Sequence, residues 1–138
     1  MKINFNMRKT IFILPLFFIL FQSCKKSIDK NDIQILNKEL KVTFWYNDSS
    51  NEQKISINKI TNNSEKLKNI TEWLSNNTNG WENSIISYAQ PEISLSNENF
   101  RLLIFTDFVV IGYLDKNNTP KQFTKRIDLN EFEFLKNK

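Results

Sequence analysis

The chain has 138 residues, 40% of them hydrophobic and 25% charged, with a formal net charge of +4. It has no histidine and a single cysteine, Cys24, which excludes Ser-His and Cys-His nucleophile pairs, histidine metal sites and an internal disulfide. Lys2, Arg8 and Lys9 supply three of the 19 basic residues with no acid beside them, so the rest of the chain is near neutral and makes no case for nucleic acid.

Residues 1–23 divide into the parts of a secretory signal. Lys2, Arg8 and Lys9 form a basic start, and Ile11 to Phe21 is an eleven-residue apolar run. A spanning helix needs about 20 apolar residues, and Pro15 would disturb one. The run ends in Leu20-Phe21-Gln22-Ser23-Cys24, followed by Lys25 and Lys26. This stretch, residues 1 to about 26, resembles the lipobox of bacterial lipoproteins in a looser form, because Phe21 and Gln22 replace the usual Leu and Ala/Ser. The resemblance implies cleavage before Cys24 and a diacylglycerol on its sulfur, hence membrane attachment at the cell envelope. It also implies the outer membrane, because Lys25 stands where an inner-membrane retention Asp would be. Two adjacent lysines would favour anionic headgroups. Lys25 to Lys38 is polar and reads as part of a tether over 24–38, so one domain is expected over 39–138, large enough for a modest core.

Leu40 to Tyr46 alternates Val42, Phe44 and Tyr46 on one face. Lys54 to Ile60 alternates Ile55 and Ile57 against Ser56 and Asn58, so the pair reads as a hairpin across the loop 47–53. The clearest helix is predicted over Asn63 to Asn77. Asn62 would cap it with Glu65 as a capping box, and Asn79-Gly80 would stop it. Leu67, Ile70, Trp73 and Leu74 fall on one face, with Glu65, Lys68 and Glu72 opposite. Strands then read over Ser84–Tyr88, Glu92–Leu95, Phe100–Phe105, Phe108–Leu114 and Gln122–Ile127, with Thr106-Asp107 as a tight turn. Asp128 and Glu131 form a second capping-box pattern, which predicts a short helix over Leu129–Leu135; the alternation Glu131-Phe132-Glu133-Phe134 would fit a strand almost as well. The fold class is α+β: an antiparallel sheet of about five to six strands, one main amphipathic helix across one face and a short C-terminal helix.

Three function classes follow. With no recognisable catalytic set, the first is a lipid-anchored, non-catalytic protein-interaction module: an inhibitor, an immunity-type protein or an envelope assembly factor. Trp45 and Trp81 are its candidate partner surface, and a small ligand or glycan stacking on the same two tryptophans is the alternative. The third class is a carboxylate enzyme using Asp107, an acid set among apolar strands. Asp115-x-Asn117 begins a calcium-loop pattern but meets Pro120 and Arg126 where Gly and Glu are needed. No metal, cofactor or nucleic acid is expected. The expected partners are a membrane, through Cys24, and an envelope macromolecule, with the oligomeric state left open.

Overall fold

The computed structural model describes residues 26–29, 31, 38–85 and 87–136. Cys24 and the apolar run lie outside the described residues.

Leu40–Asn47 is β1 and Gln53–Ile60 is β2. The five residues between them close through Asp48. Its carboxylate Oδ1 accepts the N–H groups of Ser50 (2.8 Å) and Glu52 (3.0 Å). Its own N–H donates to Glu52 O at 2.9 Å. Asn51 supplies the left-handed residue such a loop requires (φ 62°).

Helix α1 spans Glu65–Asn76. Its cap is Ser64, whose side chain accepts the Leu67 N–H at 3.2 Å. This moves the expected cap from Asn62 by two residues. Asn63 sits at φ 67° within a Thr61–Ser64 turn, which carries the chain off β2 before helix can begin. The helix ends at a cap on Asn77, and Gly80 (φ 83°) then turns the chain into Trp81. The predicted face holds: Leu67, Ile70, Trp73 and Leu74 are all buried. Each contributes about 1.5–3 kcal/mol.

Five further strands follow: β3 (Glu82–Asn83), β4 (Ile93–Ser96), β5 (Phe100–Ile104), β6 (Phe108–Leu114) and β7 (Pro120–Arg126). The strand expected over Ser84–Tyr88 is absent among its described residues; pairing stops at Asn83. Tyr88 instead packs its ring on Phe105 and Phe108, at 5.8 and 5.7 Å between centroids, and shares a hydrogen bond with Ser84. Leu129–Leu135 forms a 3₁₀ helix with the Asp128–Glu131 capping box in place. All strand pairs are antiparallel in one seven-stranded sheet, ordered β2-β1-β4-β5-β6-β7-β3.

Register decides the faces. Leu40, Val42, Leu95, Leu102, Ile111 and Phe123 share the side covered by α1 and the 3₁₀ helix, and all are buried. Trp73 joins the two helical elements. It donates through Nε1 to Glu131 Oε2 at 2.6 Å and packs against Phe132 at 4.7 Å. On the opposite face Gly112 leaves room for Arg101: a Cβ there would lie 2.7 Å from Arg101 Nε, so the arginine side chain would have to shift. Arg101 runs over that glycine to donate to Gln122.

The domain starts earlier than Glu39. Lys26 and Trp81 exchange backbone hydrogen bonds at 2.7 and 3.2 Å, and the Ile28 N–H donates to Thr78 O at 2.8 Å. Ile28 is 2% exposed and belongs to the core. The expected polar tether over 24–38 is therefore corrected at residues 26–28, where an apolar side chain with a waiting site outweighs the polar composition around it.

Candidate interaction surface

The β1–β2 hairpin forms one edge of the sheet, and β2 has β1 as its sole neighbour among the described residues. Hydrogen-bond parity follows from two contacts. Asp48 donates to Glu52 O, so even-numbered residues of β1 and β2 face each other across the ladder. Trp45 donates to Glu92 O at 3.0 Å, so odd-numbered residues of β1 face β4. On β2 the N–H and C=O groups of Gln53, Ile55, Ile57 and Lys59 therefore point away from the sheet.

Side chains make this edge apolar as well as open. Ile55 and Ile57 are each 58% exposed and stand opposite Trp45 and Thr43 of β1. Tyr46 is 52% exposed on the other face. The alternation expected in β2 is present, but its apolar side faces away from the helix. A hairpin whose loop runs Asp48 to Glu52 pairs even residues with even. The inward-facing residues Leu40, Val42 and Phe44 thus place Ser56 and Asn58, not the isoleucines, on the helix side. Loop length was the signal in the sequence that could have located Ile55 and Ile57.

On that helix side the hairpin borders a groove of about 830 Å³ beside the start of α1. Val42, Phe44, Ser56 and Asn58 line it from the sheet, and Lys66 and Leu135 from the helical side. Lys66 Nζ donates to Leu135 O at 3.1 Å, tying the start of α1 to the 3₁₀ helix.

The two tryptophans part company. Trp45 is half-buried beside Ile55 on the hairpin. Trp81, expected at a partner surface, is 0% exposed and is corrected to core. Its Nε1 donates to Asn77 O at 2.5 Å, its ring meets Trp73 edge-on at 6.3 Å, and Lys125 Nζ lies 5.8 Å over it. Burial pushes the Lys125 ammonium below its ordinary pKa, partly offset by the charge of Glu131. The lysine keeps Asn77 Oδ1 (2.8 Å) and Asn79 O (3.0 Å) as acceptors. A helix end, an N-terminal strand segment and β7 all converge on Trp81, so the residue just after the helix stop lies inside.

Asp107 sits at the tip of the β5–β6 turn with its side chain 67% exposed, 3.9 Å from Arg126. That is an exposed turn acid beside a cation, not a carboxylate enclosed among strands. Asp115 Oδ1 is taken by the N–H groups of Asn117 (2.8 Å) and Thr119 (2.9 Å), a loop built like that at Asp48. No group of three or more metal-ligating side chains occurs among the described residues. No helix among them is long and apolar enough to cross a membrane. Comparison with known protein families, with curated proteins and with solved structures finds no match.

Proposed function

We propose that the protein is a lipid-anchored, non-catalytic interaction module of the bacterial cell envelope, and that it takes an extended segment of another protein along β2. The observation that carries this is the β2 edge: eight residues long, with outward backbone groups at Gln53, Ile55, Ile57 and Lys59 and two isoleucines 58% exposed. Natural sheets blunt such edges with charged side chains, above all lysines, or with prolines, bulges or covering loops. Here Lys54 and Lys59 stand toward the ends, and between them one face carries the exposed Ile55 and Ile57. An added strand would gain main-chain hydrogen bonds from the odd residues and side-chain contacts from Ile55, Ile57 and Trp45. Anchoring rests on the lipobox-like residues 20–24, and the outer membrane on Lys25. The groove beside Val42 and Phe44 supports a second reading, a small ligand bound on the helix side of the same hairpin.

Parity makes the test specific. Ile57→Pro removes an N–H that points off the sheet, so the hairpin should survive while partner capture by crosslinking in cells is lost. Ser56→Pro removes an N–H that pairs with β1 and should unfold the hairpin. Capture unaffected by Ile57→Pro in a folded protein would refute strand addition. Capture lost only on filling the groove, for example with Ser56→Phe, would favour the ligand side.

A further inference from the structure

The edge of the sheet farthest from β2 carries its own unexplained features. Lys26 is fixed by its backbone pairing with Trp81, and Cys24 precedes it by two positions. Two residues span at most about 7 Å. An anchor at Cys24 thus leaves almost no slack between the bilayer and the β3 edge. Ile85, just past β3, is 98% exposed, the most exposed of the large apolar side chains described. It shares with Lys26 the rim of a hollow of about 880 Å³. The charged side chains of that hollow are Lys26, Arg101 and Lys121 against Asp29 alone. Lys121 also faces Asp115 at 3.5 Å, and Arg101 donates to Gln122.

We propose that this end of the domain lies against the bilayer, with Ile85 inserted among the headgroups and the cationic hollow facing anionic lipid. The inference rests on the anchor reading given under the proposed function. It adds an orientation. Seven strands leave six spacings of about 4.8 Å, so β2 stands roughly 29 Å across the sheet from β3. The anchored edge and the open edge are then opposite ends of one sheet. A lone exposed isoleucine is ordinary on a protein surface. One placed next to the point where the chain leaves for a membrane has an apolar phase within reach, and nearby lysines favour anionic lipid.

The test uses the full lipidated chain in vesicles of phosphatidylcholine and phosphatidylglycerol. With the Cys24 sulfur acylated, Ile85→Cys provides a single free thiol for an environment-sensitive fluorophore; Ile57→Cys provides the same at the far edge. Both side chains are exposed, so both variants should fold. The probe at position 85 should shift to the blue on vesicle binding and be quenched by nitroxide-labelled lipid, while the probe at 57 should do neither. Vesicles that carry the protein with position 85 unquenched, or with both positions quenched alike, would overturn the orientation and leave the anchor intact. Protein that fails to float with vesicles would overturn both.

Discussion

Asp48 and Asp115 do the same work in two loops. Each accepts two backbone N–H groups, each loop places an asparagine at positive φ three residues later, and each carboxylate meets a lysine of the following strand at 3.3 to 3.5 Å. Both carboxyls are held below the usual aspartate pKa. The largest cause is the N–H of Glu52 for Asp48 and of Thr119 for Asp115. A depressed folded pKa means stability that is present above the unfolded value of about 3.9 and is lost as pH falls through the folded value. In urea melts the Asp48→Asn, Asp115→Asn double variant should therefore be less stable at neutral pH and lose less on acidification below about pH 4. Parallel acid limbs would contradict this. The aspartate–asparagine spacing was visible in DSSNE and DKNNT, yet composition hid it, because asparagine is common throughout the chain. Trp81 was misplaced for a different reason. Local pattern set it beyond a helix stop, and its enclosure by Lys26 and by Lys125 of β7 comes from residues distant in sequence.

At the scale of elements, periodic stretches were legible and their ends were not. The four apolar positions of α1 fix its face wherever the helix begins, whereas the cap depends on how the chain leaves β2. Asn62 and Ser64 are both competent caps, and the turn at Asn63 decides for Ser64. Ser64→Ala should cost about 1 kcal/mol and Asn62→Ala less than about 0.5 kcal/mol in denaturant melts; equal losses would contradict the assignment. The 3₁₀ helix was ambiguous for a related reason. Its capping box was correct, while the Glu-Phe alternation inside it imitates a strand until Phe132 and Leu135 find the core beneath α1. The candidate surface was partly legible. Trp45 was singled out, but Ile55 and Ile57 needed the hairpin register, and the register lay in the loop.

For the whole molecule, the class of fold followed from alternation and amphipathicity, and the topology did not. The run β4-β5-β6-β7 is a chain of neighbouring hairpins, so local turns describe it. The two edges are not local: β1 inserts between β2 and β4, and β3 joins β7 across some 40 residues of sequence. The domain limit failed likewise, since Ile28 looks like an isolated apolar residue until the site near Thr78 is formed. Where composition is polar, a single well-placed side chain is enough to extend a core.

Under the anchoring proposed at Cys24, that docked segment would make the attachment extensible under load. Among the described residues, force applied through residue 24 meets first the three backbone hydrogen bonds of Lys26 and Ile28 and one buried isoleucine. At about 0.5–1.5 kcal/mol per hydrogen bond and about 1.5–3 kcal/mol for the side chain, this seam holds about 3–7.5 kcal/mol, toward the low end of the about 5–15 kcal/mol of a typical domain. Peeling residues 26–29 away from Trp81 and Thr78 would release up to about 14 Å of chain while the sheet stays folded. In optical-trap pulling between residues 24 and 57, a step of that order should precede unfolding and move to lower force in Ile28→Ala; rupture in one step would exclude it. Under the proposed anchoring, a short mooring would thereby become a longer one when the domain is pulled, and would shorten again on release.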